Sequence, residues 1–351
     1  LTFYRIKHFI NRIWQWEFWP QWLLYMPVFP VYLYYACKAR TPFFVVATNP
    51  GIENGGYLLE SKYDIHLRLP AAYTPKTAKI NPDITDTELE AIYRDQEFRV
   101  PFYCKPDVGG KGLGVRKISS MEELLDYHRR APHAYLLQEE IPYKNEIGVF
   151  YCKLPGADKG IITGIVGKEF MMLRGDGTST VKQLIQVNTR YYLQRHTLFR
   201  AYQSMLSYIP HKGEKIMLSA IGNHARGCLF TDITSLNQPS LHSLIDNISA
   251  DFNGFYFGRY DIKYNEWEEL CSGEHFMIVE LNGGGSEPTH LYDPGKSIWN
   301  AWKIILLHWR WMYNIANTHH KQGVPYLGLR KGIALNRKAR RLARLWKESG
   351  L

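Results

Sequence analysis

The sequence predicts an α/β protein of the mixed α+β kind, and three observations carry that expectation. Apolar runs of strand length recur through the body, among them Phe102–Lys105, Tyr135–Ile141 and Ile161–Val166. Between them lie amphipathic stretches with helix-start signals, such as Ser120 followed three residues later by Glu123. Glycine-rich turns mark strand ends at Asn54-Gly55-Gly56, Gly109–Gly114 and Gly283-Gly284-Gly285. The chain divides accordingly. An aromatic, basic segment covers 1–40 and a short α/β domain 41–100. A subdomain with a Gly-rich loop covers 101–170, a second with two polar strands 171–330, and a basic tail helix 331–351.

At 351 residues the chain is long enough for a large buried core in about two or three domains. Apolar residues make up 45% and charged residues 22%, which excludes wholesale disorder. The net charge of +10 belongs to the two ends. Residues 1–40 hold five Lys/Arg against Glu17, 330–351 hold eight against Glu348, and 41–329 sums to −1. No nucleic-acid groove is expected through such a body. The five cysteines, Cys37, Cys104, Cys152, Cys228 and Cys271, are scattered without CxxC or His/Cys spacing. They read as reduced thiols in a cytoplasmic setting.

At the N-terminal end Arg5, Lys7 and Arg12 precede Trp14, Trp16, Phe18, Trp19 and Trp22, and an apolar run then reaches Ala36. Trp22–Ala36 falls short of the about 20 residues a spanning helix needs, and Pro27 and Pro30 interrupt it. Interfacial aromatics with flanking cations point to an interfacial or re-entrant segment at an anionic membrane surface, with a buried aromatic hairpin packed on the body as the alternative. At the other end Leu335, Ala339, Leu342 and Trp346 recur at helical spacing over 333–348. Arg337, Lys338, Arg340, Arg341, Arg344 and Lys347 occupy the rest of that helix. This is a basic amphipathic helix, either of membrane-surface type or docked on the body; with the aromatic N-terminal segment counted too, a peripheral position on the inner face of the cell membrane is expected.

In the body, Phe43–Ala47 reads as a buried strand, followed by the Asn54-Gly55-Gly56 turn and a short helix near Leu58–Tyr63. Phe102–Lys105 and Val115–Ile118 read as strands, so the glycines between them form a hairpin loop. A Walker loop needs GxxxxGK[ST] opening a helix, whereas Lys111 is followed by Gly112. Amides bared by Gly109, Gly110, Gly112 and Gly114, with cations at Lys105 and Lys111, suit a polyphosphate. The next strand exits at Gln138-Glu139-Glu140-Ile141, with Glu146 beyond a short turn. Such an exit offers backbone groups to adenine and a carboxylate to ribose hydroxyls. Helices are expected from Thr180 to His196, Ser240 to Phe252 and Trp299 to Asn317.

The chemistry centres on two strands. In Ile278-Val279-Glu280-Leu281-Asn282, Glu280 and Asn282 share one strand face, and in Phe257–Ile262 so do Arg259 and Asp261. A carboxylate beside an amide oxygen is the hard-oxygen pairing that Mg²⁺ prefers. If the strands pair, Asp261, Glu280 and Asn282 converge as metal ligands and Arg259 is left for an anion.

Taken in order, these pieces resemble the ATP-grasp superfamily from about Phe102 to Pro294, with 41–100 as its short preceding domain. Arg259-x-Asp261 and Glu280-x-Asn282 are similar to the strand pair of D-alanine–D-alanine ligase. Arg174-Gly175-Asp176-Gly177-Thr178-Ser179 and Asn223–Gly227 look more like cyanophycin synthetase and glutamate-adding ligases. The resemblance implies ATP and Mg²⁺ held between two α+β subdomains. It implies Lys105 on the α/β-phosphates beneath the Gly109–Gly114 flap, adenine at Glu139–Ile141 and ribose at Glu146. It places Mg²⁺ on Asp261, Glu280 and Asn282. Arg259 and Arg226 fall to the transferring phosphoryl group, and the Gly283–Gly285 amides to an acyl oxyanion. An earlier phosphate-binding lysine falls to Lys76 or Lys79, a choice the sequence leaves open. Where such ligases continue Asn-x-x-Pro-Gly, this chain runs from Asn282 through Gly284 and Gly285 to Glu287 and His290. The identity of the substrate is expected there.

The implied activity joins a carboxylate to an amine through an acyl phosphate, on small-molecule or lipid-linked substrates. Two other readings stay open: a peripheral membrane protein that binds nucleotide without chemistry, and a phosphotransferase. The acid, the amine and the oligomeric state are not legible.

Overall fold

Helices and antiparallel strands alternate along the whole chain, which is the mixed architecture the sequence predicts. The computed structural model describes residues 2–219 and 222–351, and of Thr2, Phe3, Arg5 and Ala225 the backbone alone. The chain begins with α1 (Thr2–Trp14), α2 (Gln21–Tyr25), α3 (Phe29–Ala39), α4 (Lys62–His66), β1 (Thr77–Ile80) and α5 (Asp86–Asp95). It continues through β2 (Phe102–Pro106), β3 (Arg116–Ile118), α6 (Met121–Arg130), β4 (Tyr135–Glu139), β5 (Asn145–Cys152), β6 (Ile161–Glu169) and β7 (Met171–Arg174). Next come α7 (Val181–Val187), α8 (Thr189–Leu193), α9 (Arg195–Ala201), β8 (Lys215–Ser219), β9 (Leu229–Asp232) and α10 (Pro239–Asp251). The last elements are β10 (Phe257–Tyr264), α11 (Trp267–Ser272), β11 (Phe276–Asn282), α12 (Ile298–Lys321) and α13 (Leu329–Glu348).

Two compact units result. The larger comprises Val31–Ile165, Thr234–Pro288 and Leu306–Leu351. In it, four antiparallel strands run in the order β1-β4-β2-β3. β4 is interior and reads as a continuous apolar run because Tyr135, Leu136 and Leu137 are all buried. Its core gathers Ala78, Phe102, Leu124, Tyr127, Leu137 and Trp346. β10 pairs antiparallel with β5 on one side and β11 on the other. The smaller unit comprises Leu1–Pro30, Val166–Ile233 and Thr289–Ile305. There β7 and β8 pair over a core of Met171, Leu173, Val181, Ile185, Leu198 and Leu218, and Val166–Glu169 of β6 pairs with β9. All five cysteines are free and four are buried, in line with their scattered spacing.

Three sequence expectations change. Phe43–Ala47 is not a strand: Phe44–Ala47 forms a buried 3₁₀ turn. Its donors stay local, with Val46 and Thr48 N–H on the Phe43 and Val45 carbonyls. A short apolar run fits any buried segment, and periodicity cannot tell which. The helix expected from Thr180 to His196 breaks after Val187, where the Asn188 side chain caps α8 by accepting from Tyr191 N–H at 3.2 Å. The tail is helical as expected, but its Trp346 is 1% exposed in the core of the larger unit, with Leu342 and Leu351 packed beside it. The stripe read as lipid-facing therefore faces protein. No helix among the described residues is long and apolar enough to cross a membrane.

Candidate active site

The two polar strands do pair. In the β10–β11 register Asp261 lies opposite Glu280, and Arg259 opposite Asn282. Arg259 forks onto Asp261, Nε to Oδ1 at 3.0 Å and Nη2 to Oδ2 at 2.9 Å, and Nη1 donates to the Glu287 carbonyl at 2.8 Å. Asn282 Nδ2 donates to Asp261 Oδ2 at 3.1 Å. Burial works against the Arg259 charge, but attraction and hydrogen bonds from Asp261 outweigh it and raise its pKa. The site is thus an ionised cluster.

Beside Glu280 opens a tight cleft of about 20 Å³, room for a water and far below the volume of a ligand pocket. Lys62 and His66 of α4, Thr77 of β1, Lys105 of β2, Gln138 of β4 and Glu280 of β11 contribute its polar lining. Lys105 Nζ donates to Gln138 Oε1 at 2.8 Å and to the Val279 carbonyl at 3.4 Å. Gln138 is held in turn by donating to Thr77 Oγ1 at 3.1 Å. Burial pushes Lys105 down to about 8, with Glu280 opposing the fall and Lys62 adding to it. Lys62 lies in no motif that marks it in the sequence. Its ammonium meets Glu280 Oε1 at 2.8 Å and the Gly109 carbonyl at 2.6 Å. Burial disfavours its charge, but Glu280 and Glu60 outweigh burial and raise its pKa. Glu280 shows the mirror image: burial would raise its pKa, yet Lys62 and Lys105 hold it below the ordinary carboxylate value. Glu60, also unforeseen, has its pKa raised by burial, and its buried Oε2 has no hydrogen-bond partner among the described residues.

The Gly-rich loop is anchored at its base and open at its tip. Asp107, 3% exposed, accepts from Ser61 Oγ and Tyr63 N–H and pairs with Lys79 at 2.7 Å. A Cβ on Gly110 would meet nothing within 4 Å, whereas one on Gly114 would press on Pro106 and Trp346. Lys111, Gly112 and Gly114 all have positive φ. Of the two early lysines, Lys79 is engaged by Asp107 and Lys76 donates to the Gln96 and Glu97 carbonyls. Lys62, and neither of these two, lines the cleft beside Lys105.

The expected adenine hinge is reached only in part. Gln138 lines the cleft, but Glu139 N–H donates to the Lys76 carbonyl at 2.9 Å and Glu140 pairs with Lys117 at 2.7 Å. Ile141 and Glu146 are buried, with Glu146 opposite Lys263 in the β5–β10 register. The oxyanion cradle expected of the second glycine run is not there. Gly284 and Gly285 N–H donate to the Gly55 and Gly56 carbonyls at 2.8 and 2.7 Å. A Cβ on Gly283 would come within 2.8 Å of Gly56 Cα. These glycines let two backbones touch. Asn49 buttresses the contact, its amide donating to the Gly55 and Phe257 carbonyls and accepting from Tyr256 and Phe257 N–H.

Arg226 and His290 lie in the smaller unit. Arg226 ends a 3₁₀ turn, and burial pushes the pKa of His290 down to about 4 against an opposing pull from Asp232. Among the described residues no three His, Cys, Asp or Glu side chains cluster as a metal site. The candidate metal set remains Asp261, Glu280 and Asn282. It fits Mg²⁺ chemically: the donors are hard oxygens, and Asn282 turns its N–H toward Asp261, leaving its carbonyl oxygen for a cation.

No family model matches the chain, and no curated protein is similar to it. Among solved structures it is similar to the VanG D-Ala:D-Ser ligase from Enterococcus faecalis, with a TM-score of 0.43 and 14% identity over 77% of this chain and 64% of that one. It is similar to the D-alanine-D-alanine ligase from Coxiella burnetii, with a TM-score of 0.42 and 10% identity over 77% and 61%. A bifunctional glutathione synthetase from Pasteurella multocida gives 0.38 and 15% over 67% and 34%. The chain thus spans about a third of the synthetase and under two thirds of these two ligases.

Proposed function

We propose that the chain is an ATP-grasp enzyme that joins a carboxylate to an amine at the expense of ATP, through an acyl phosphate, at a membrane surface. One observation supports this above the rest. Lys62 and Lys105 stand in one cleft, Lys62 adding to the fall in the pKa of Lys105, beside the facing carboxylates Asp261 and Glu280. Paired ammoniums in that state favour an anionic ligand, and facing carboxylates favour a divalent cation. A nucleotide with its metal supplies both.

In this reading Lys105 and Lys62 bind phosphate oxygens, and the open amides at Gly109–Gly112 close over them. Asp261, Glu280 and the Asn282 carbonyl oxygen would hold Mg²⁺, which offsets charge on the phosphates. Arg259, fixed by Asp261, keeps a permanent positive charge toward the transferring group. Glu60, its carboxyl oxygen without a partner, offers an acceptor to a donor group on a substrate. No side-chain nucleophile is required, because the substrate carboxylate is itself the attacking group.

The test is ATP turnover against pooled acids and amines, with mass analysis of the products. Glu280→Gln should abolish ADP release while leaving the thermal unfolding profile cooperative. Undiminished turnover would sink the proposal. Phosphate released with an amide formed supports ligation. Phosphate retained on the acceptor would instead indicate a phosphotransferase.

A further inference from the structure

Helix α1 is mounted the wrong way round for a soluble surface. At 3.6 residues per turn Ile6, Phe9, Ile10, Ile13 and Trp14 fall within an arc of about 140°. Their exposures are 57%, 65%, 46%, 53% and 81%, so this arc faces outward. The opposite side carries His8 and Asn11, and it is the side that docks. His8, 2% exposed, bonds through Nδ1 to Thr189 Oγ1 at 3.1 Å and through Nε2 to the Gln186 carbonyl at 2.8 Å. Its ring stacks on Tyr192 with centroids 4.0 Å apart, and Asn11 Nδ2 donates to Thr189 Oγ1 at 2.8 Å. Rolling the helix to hide its apolar face would break every one of these bonds. The orientation is built in.

We infer that this face of α1 is a monotopic docking surface for an anionic lipid bilayer. Charge selects that occupant. Helix α1 contains no acid, and Lys7 and Arg12, both exposed, fall on the two rims of the apolar arc. Rim cations over an apolar stripe match anionic headgroups above acyl chains, and they would repel the same face of a second copy. The indoles agree. Trp16 and Trp19 donate to the backbone carbonyls of Lys296 and Ile13, whereas Trp14 and Trp22, 81% and 67% exposed, have no acceptor among the described residues. Exposed Trp side chains with a free N–H are suited to the headgroup level. A helix of 13 residues lies about 20 Å along the membrane plane. This surface lies in the smaller unit and deepens the membrane-surface part of the proposed function; ATP turnover tests the cleft chemistry separately, so failed vesicle binding would leave that chemistry standing.

The full-length chain should co-sediment with vesicles of phosphatidylcholine and phosphatidylglycerol and only weakly with phosphatidylcholine alone. Phe9→Glu with Ile13→Glu, two outward side chains, should weaken that binding about 100-fold while leaving the unfolding midpoint unchanged. A second readout needs no variant: amide exchange over residues 6–14 should slow on adding the anionic vesicles. Equal binding by the double variant, equal binding to neutral vesicles, or unchanged exchange would overturn the inference. So would a dimer that the double variant converts to a monomer.

Discussion

Lys62 Nζ lies 2.8 Å from Glu280 Oε1 and 2.6 Å from the Gly109 carbonyl, so one ammonium ties the Gly-rich loop to the strand that carries the metal-ligand candidates. Lys62→Met would leave Glu280 facing Asp261 with one cation fewer. Glu280 should then titrate higher, and ATP affinity measured by calorimetry should fall by roughly tenfold or more. Lys62→Arg should recover part of the loss.

A pH dependence follows from Lys105. Its pKa is lowered from 10.5 to about 8, so the free protein loses this charge as pH rises through 8. Nucleotide affinity should fall above that pH, and binding near pH 8 should take up a proton, visible as a dependence of the binding heat on buffer. Stability runs the other way. Between about 8 and 10.5 the unfolded chain keeps the proton that the folded chain has lost, so this group favours the folded state more as pH rises.

Asn49→Ala should be among the most damaging single changes. It strands the Tyr256 and Phe257 N–H groups and the Phe257 carbonyl around a residue that is 0% exposed, while the Gly55 carbonyl keeps the Gly284 N–H. At about 1–3 kcal/mol for each buried group left unsatisfied, urea titration should show a loss of about 3 kcal/mol or more.

The two glycine runs should respond differently to alanine. Gly284→Ala puts a Cβ 2.6 Å from Thr48 Oγ1 and should cost about 1–3 kcal/mol of stability. Gly110→Ala meets nothing within 4 Å and should leave the unfolding midpoint unchanged while altering nucleotide binding.

Deleting 333–351 removes Trp346 from the core, so it should lower stability by about 3–5 kcal/mol rather than act on membrane binding alone. The cleaner probe of the tail is Arg340→Gln with Arg341→Gln and Arg344→Gln. These three are exposed. Reduced binding to anionic vesicles at an unchanged midpoint would assign the tail an electrostatic share, and unchanged binding would remove it.

The strand pair was legible because its signal is local. Residues two apart share a face, and the β10–β11 register then set Asp261 against Glu280. The hairpin around Gly109–Gly114 was legible for the same reason. Lys62 was not, because it stands far along the chain from Glu280 and lies in no motif, and Glu60, two residues before it, lies in none either. The second glycine run misled in an instructive way. Glycine marks both bared amides and close backbone approach, and only the facing chain, here Gly55 and Gly56, decides between them. The tail misled likewise: a periodic apolar stripe says that a helix has a partner, not whether the partner is lipid or Tyr127 and its neighbours.

The contact between Gly56 and Gly283 has a consequence for kinship. A Cβ on the first would lie 2.6 Å from Cα of the second, and a Cβ on the second 2.8 Å from Cα of the first. Neither position can gain a side chain while the other backbone stays where it is. Chains descended from the same ancestor that keep this touch must therefore keep both glycines, however far the rest has drifted. Asn-Gly-Gly early and Asn-Gly-Gly-Gly late, remote in sequence and joined in space, would be a lasting mark of descent.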